Sequence, residues 1–486
     1  MRVRLGLGIL AVAAAVVVAG CGGGGKKAPT GAASIVPDDV AAFVAVNSNL
    51  ASPQWDQAQV LLDRFPGKES LLSQLRSSLE KQGIDWETDL KPALGNEIDF
   101  AWLDFQNGGA NVVGVTKPKD VAKFNAALEK GSNPTVHEDV EGWTVFAEAQ
   151  AQLDQFNRMR ENAGSLDDDS VFSQAMGELP ADAIATAFVS GAAIKTSLDR
   201  ALSTSGVPSK LTEGQIGKLD SISAAVTPES DGVRLDSALN GTDFGGGGYH
   251  ADLPSSLPSG ALAYASFNNL SGRLRKLLES YRELNPSFAQ QQSQVEAALG
   301  VRLDEVFDLL SGEGALALYR SPSGSAEILF TVRVDDEDKA RRLIRRAAAL
   351  AELGGTATTT QVQIGSVQAT EFTVSGTRIY SAAFDGKLAI ANSRTPIEGM
   401  QGGGSKLADD PAYKASVSGA SVPSETNGFV YFNLRDGLGY LFDYLEGQGT
   451  TISQVVRGNV APLRGLLLYA SKSGDRFQLN GFLGIK

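Results

Sequence analysis

Apolar residues recur along this chain at two spacings. Runs that alternate or cluster over four to eight positions between turn residues predict strands, and apolar positions three or four apart predict helices. The order of these segments occurs twice. A proline-led apolar strand closing on asparagine spans residues 36–47 and again 257–268. A helical face follows each, carried by Leu71, Leu72, Leu75 and Leu79 in the first case and by Leu274, Leu277, Leu278 and Tyr281 in the second. Strands at 95–102 and 111–116 precede a helix at 118–128, as strands at 312–319 and 328–334 precede one at 336–353. Later strands at 182–189, 223–226 and 232–235 match 426–432, 466–469 and 475–479. One stretch breaks the parallel, because residues 384–391 read as a hairpin turn and strand where 149–156 read as helix. The pattern predicts an α+β protein of two tandem duplicated units, 34–252 and 253–486, each of antiparallel strands covered by helices. The passage Gly245 to Gly248 ahead of Pro254 and Pro258 marks the joint between them.

The N-terminus follows a different rule. Arg2 and Arg4 precede an apolar stretch at 5–19, which falls short of the roughly 20 residues that cross a bilayer. A charged start, an apolar segment and small residues at a cleavage point predict a signal peptide over residues 1–20. The segment Val18-Ala19-Gly20-Cys21 resembles the bacterial lipobox, which implies lipidation of Cys21 and a mature chain beginning there. Two acyl chains hold a protein to a membrane where one binds only marginally. Residues 21–33, rich in glycine, read as a flexible lipid-anchored tether. Within it Lys26 and Lys27 either rest against anionic headgroups or are simply solvated.

The lipobox, the proline-led strand ending in asparagine, the helix from Asp56 to Phe65 closing on Phe65-Pro66-Gly67, and the duplicated layout together resemble a known family. It is the family of bacterial lipoproteins catalogued as domain of unknown function 3352. The resemblance covers nearly the whole mature chain and implies a secreted, membrane-tethered protein. It implies no reaction, cofactor or ligand.

Composition narrows the chemistry. With 43 Lys and Arg against 56 Asp and Glu among 486 residues, the formal charge is −13, which argues against a nucleic-acid partner bound through global positive charge. A single cysteine excludes an intramolecular disulfide and any cysteine-based zinc cluster. The only histidines, His137 and His250, read as surface residues, and no Gly-x-Ser-x-Gly elbow places a nucleophilic serine. Gly67-Lys68, Gly217-Lys218 and Gly386-Lys387 are not followed by Ser or Thr, so no phosphate-cradling loop exists. The acid clusters Asp167-Asp168-Asp169 and Asp335-Asp336-Glu337-Asp338 precede helical patterns and read as caps rather than metal ligands. The basic run from Lys339 to Arg346 presents a patch that lipid phosphates or an acidic envelope polymer would suit. Yet Glu337 to Arg341 and Asp338 to Arg342 are i,i+4 pairs, which reads as a self-paired, solvated face.

These readings converge on an extracytoplasmic lipoprotein held on the cell membrane through Cys21, the one candidate site residue. Catalytic residues, cofactor and metal are all expected to be absent. The expected role is a non-enzymatic binding or scaffolding component of the cell envelope, with an envelope protein, lipid or glycan as partner. The alternatives are an envelope hydrolase whose site the sequence does not reveal, and a purely structural spacer.

Overall fold

A computed structural model of the chain describes residues 31–130, 134–205, 218–241, 247–285, 288, 292–293, 296–297, 300, 302–474 and 476–486. The signal-peptide reading, Cys21 and most of the tether lie outside the described residues. The chain divides into two compact units. The first takes the chain up to the 245–246 joint together with 453–463 and 472–486, and the second takes 246–452 together with 464–471.

Eighteen strands are described, and every pairing read from their registers is antiparallel. In the first half they are β1 (Ala42–Asn47), β2 (Glu97–Trp102), β3 (Val112–Thr116), β4 (Val136–Val140), β5 (Trp143–Ala147), β6 (Ala185–Ser190), β7 (Ser221–Glu229) and β8 (Gly232–Asn240). The second half holds β9 (Ala263–Asn268), β10 (Glu313–Arg320), β11 (Ala326–Arg333), β12 (Thr358–Ile364), β13 (Val367–Val374), β14 (Thr377–Phe384), β15 (Lys387–Ala391), β16 (Gly428–Phe432), β17 (Leu463–Ser473) and β18 (Arg476–Ile485). One run of paired strands is β4-β5-β3-β2-β1-β6-β7-β8-β18. The other is β12-β13-β14-β15-β11-β10-β9-β16-β17. With helices packed on the strands, the fold is α+β and the tandem layout is evident: β1, β2, β3, β5, β6 and β7 occupy the places of β9, β10, β11, β15, β16 and β17.

Both faces of the central strands β1, β2, β3 and β5 are buried, which is why these strands read as apolar runs. One face carries Phe43, Ala45, Ala101, Val113 and Val115 against Leu153 and Phe156 of the helix Gln150–Asn162 and Phe172 of Ser170–Gly177. The other carries Ile98 and Phe100 against Leu79, Phe124 and Leu128. The halves share a further signature. Phe172 meets Phe43 and Phe188 edge-on at 5.7 and 5.2 Å, and Tyr413 meets Tyr264 and Tyr431 edge-on at 6.2 and 5.3 Å. Strand register pairs Phe43 with Phe188 and Tyr264 with Tyr431, so three tyrosines stand where the first unit has three phenylalanines. The Tyr431 hydroxyl is buried without a hydrogen-bond partner. Burial of an unpaired hydroxyl costs free energy, so Tyr431→Phe is expected to raise the stability of the second unit by about 1 kcal/mol. Hydrogen exchange of β16 peptides measures it, and a loss of protection would mean that the hydroxyl has a partner.

Two features differ from the sequence reading. Residues 384–391 and 149–156 are strand and helix as expected, but they are not counterparts. The turn Glu141-Gly142 between β4 and β5 has positive φ at both residues, as does Asp385-Gly386 between β14 and β15, so these two tight hairpins correspond. The true addition in the second half is the hairpin β12-β13. In addition, β18 is the last strand of the sequence repeat, yet it pairs with β8 and lies in the first unit. The motif Phe65-Pro66-Gly67 sits where this C-terminal chain docks. Arg64 donates to the carbonyls of Ile485 and Ser230, and Gly67 N–H donates to Asn459 Oδ1 at 2.6 Å. A Cβ on Gly67 would fall 2.4 Å from that same oxygen.

Candidate functional site

Residues 31–33, placed in the tether by composition, are instead folded. Gly31–Ser34 forms a 3-10 turn in which Ala32 and Ala33 are fully buried. Their small size serves close packing, since a Cβ on Gly31 would lie 2.8 Å from Glu97 Oε1 and 3.2 Å from the Trp143 ring. Glu97, buried at the start of β2, accepts the N–H groups of Gly31 and Ala32. Its counterpart Glu313, buried at the start of β10, accepts those of Leu253 and Asp252 at 2.9 and 3.1 Å, where the chain enters the second half. In each half, then, one carboxylate holds the incoming backbone to the sheet. Glu313 also faces Arg333 at 3.2 Å. Burial raises the pKa of both glutamates. Two residues from Glu97 on the same face, Asp99 is fully buried with no partner on either oxygen, and burial, then the Glu97 charge, drives its pKa well above the carboxylate range.

Concave surface is found in the first unit, beside the helix Ser170–Gly177. Two hollows of about 330 and 500 Å³ adjoin there, sharing Val171 and Asp220 in their walls. The smaller is bordered by Asp38, Asp169, Ser190 and Lys195 at the start of the helix Gly191–Ser205. The larger is bordered by Gln174, Glu178, Asn240, Arg476 and Gln478, across β8 and β18. Burial lowers the pKa of Arg476, whose guanidinium pairs with Glu178 while its Nε is buried without a partner. Two of the acids at the rim are engaged by backbone. Asp38 accepts from Gly164 N at 3.2 Å, and Asp169 accepts from Val171 and Phe172. The crevice thus offers side-chain amides, the Asn240 Nδ2 donating to the Ser221 hydroxyl at 2.9 Å, and one ion pair, which suits hydrogen bonding to a polar ligand.

The structure disperses the other sequence candidates. Asp169 and Asp336 cap helices, as expected of the acid clusters, and Asp410 caps Pro411–Gly419 in the place corresponding to Asp169. His137 lies in edge strand β4 with Nε2 3.2 Å from Glu129, and His250 Nδ1 lies 2.9 Å from the Ser424 carbonyl. In the basic run Arg341 pairs with Glu337 and Asp338, Arg342 with Asp336, Lys339 with Asp308 and Arg346 with Glu305. Among the described residues no group of three or more His, Cys, Asp or Glu is placed to hold a metal ion. No described helix is long and apolar enough to cross a membrane. Sequence reasoning missed Glu97, Glu313 and Arg476. The available signal was a carboxylate at an alternate position of an otherwise apolar strand, which normally marks a solvent face.

A family model described as "Protein of unknown function (DUF3352)" matches residues 3–154 and 129–458. The two matches overlap at residues 129–154 and together cover most of the chain. No curated protein matches the chain. Among solved structures, crystal form III of TP0453 is 11% identical with a TM-score of 0.24, covering 48% of this chain and 94% of that one. Crystal form IV of the same protein is 11% identical with a TM-score of 0.25, covering 49% and 94%.

Proposed function

The chain belongs to the DUF3352 family, and from that premise we propose that it is a lipid-anchored, extracytoplasmic component of the cell envelope that binds or scaffolds rather than catalyses. The observation that carries the anchoring is the short distance in sequence between Cys21 and Gly31, the first described residue. Gly31, ten positions on, is pinned by Glu97, so acyl chains on Cys21 keep the first unit within a few nanometres of the bilayer. Binding is favoured over hydrolysis by the positions of the carboxyls. Glu97, Asp99 and Glu313, which burial pushes upward in pKa, are buried in strands away from the crevice, while at the crevice Asp38 and Asp169 accept backbone N–H groups and Glu178 pairs with Arg476. The crevice then serves as a recognition surface for a polar group of an envelope partner.

Cys21→Ser is expected to move the protein from the membrane pellet to the soluble extracytoplasmic fraction, and mass spectrometry of the parent's N-terminal peptide is expected to show a diacylglyceryl thioether on Cys21. A free thiol at Cys21, or a serine variant that stays with the membrane, would overturn the reading.

A further inference from the structure

The two runs of paired strands end differently. Strand β4, the edge of the first, carries His137, Glu138 and Asp139, and Asn157 binds Glu138 at 2.7 Å. Charge on an edge strand discourages pairing with another chain. Strand β12, the edge of the second, reads Thr-Thr-Thr-Gln-Val-Gln-Ile, with no charge and no proline. It belongs to the hairpin that the first half lacks, and its residues register with β13 alone. Thr359 N–H turns away from β13 to Glu352 Oε1 at 3.2 Å, so by the alternation of an antiparallel ladder Gln361 and Gln363 also direct their backbone groups outward. Beside Glu352 stands Leu353, 86% exposed at the end of the helix Glu337–Leu353.

We propose that β12 is a pairing surface on which two copies of this chain join their second-unit sheets, antiparallel about a two-fold axis at Val362. In that register Gln361 of one copy faces Gln363 of the other at two symmetric places. Each place exchanges two backbone hydrogen bonds, and Val362 meets its own equivalent between them. The Glu352 contact to Thr359 stays intact, since that residue lies beyond the paired segment. A second copy is the occupant because the segment is self-complementary in both backbone and side chains. Charge points the same way: a chain with net charge −13 repels its copies over most of its surface, and β12 is a seven-residue edge without that repulsion.

The test uses the full chain with Cys21→Ser, so that an introduced thiol is the only one. Val362→Cys is expected to form a disulfide-linked dimer under mild oxidation, many times faster than Gln150→Cys on an exposed helix of the first unit. Sedimentation of the Cys21→Ser chain is expected to show a dimer, weakened roughly tenfold or more by Gln361→Lys with Gln363→Lys, because like charges then face each other across the pair. Unchanged circular dichroism and melting show that the double variant is folded, and Gln361→Thr is expected to keep the dimer. A monomer at about 100 µM, a concentration that detects even weak association, would overturn the proposal. So would a dimer indifferent to the lysines, which would place the contact elsewhere or on a different protein.

Discussion

The stability of the Asp99→Asn variant gains steadily on that of the parent as pH rises from about 4 toward neutral. Asp99 lies on β2 opposite Ala45 and Val115, fully buried, with the Glu97 carboxylate on the same face. Burial first and that charge second raise its pKa far above the ordinary value, so the folded chain keeps a proton that the unfolded chain has already lost. Such a group contributes its full stabilisation below the unfolded pKa, near 3.9. The contribution declines by about 1.4 kcal/mol for each pH unit above that, until the folded pKa is reached. Asparagine has no such slope. All four tryptophans, Trp55, Trp86, Trp102 and Trp143, lie in the first unit, so urea unfolding followed by their fluorescence reads this unit alone. Parallel stability profiles for parent and variant between pH 4 and 7 would mean that Asp99 is ionised in the fold and that its burial has been misread.

A chain ended at Ser471 is expected to lose the first unit while keeping the second. Strand β18 lines the open side of β8, buries Phe482 and Ile485 to 2% exposure each, and provides Arg476 for Glu178 and the Ile485 carbonyl for Arg64. Two such side chains are worth roughly 1.5–3 kcal/mol each, before the ladder hydrogen bonds are counted. That is a large part of the 5–15 kcal/mol by which a domain typically holds together, and it leaves β8 as a bare edge inviting aggregation. Tryptophan fluorescence is expected to report an unfolded or strongly destabilised first unit, with β9 to β11 still protected from hydrogen exchange. The reverse pattern, with the second unit opening first, would return β18 to the half in which the sequence repeat places it. Phe482→Ala is a milder version, expected to cost about 3–5 kcal/mol in the tryptophan transition.

How legible each feature was depends on how local its physics is. Caps such as Asp169 and Asp336 were readable because a helix N-terminus and its acceptor lie within three residues of each other. The i,i+4 partner of Arg341 was readable for the same reason, whereas Arg342 turned back to Asp336 and Lys339 reached across to Asp308. Gly31, Ala32 and Ala33 were misread because small residues look alike in a tether and in a tight contact, and only the presence of Glu97 and Trp143 separates the two.

That strands and helices alternate in a duplicated α+β order was legible from residue patterns, since hydrophobic periodicity is written into each segment without reference to its neighbours. The sequence also marked Cys21 and the charge balance. Which strand lies beside which is set by long-range contacts that no local pattern encodes. Strand β18 has the same pattern whether it pairs with one sheet or another, and its place beside β8 is set by contacts more than two hundred residues apart. The same holds for Asp99: a carboxylate in an apolar strand normally marks a solvent face, and packing on both sides of β2 buries it.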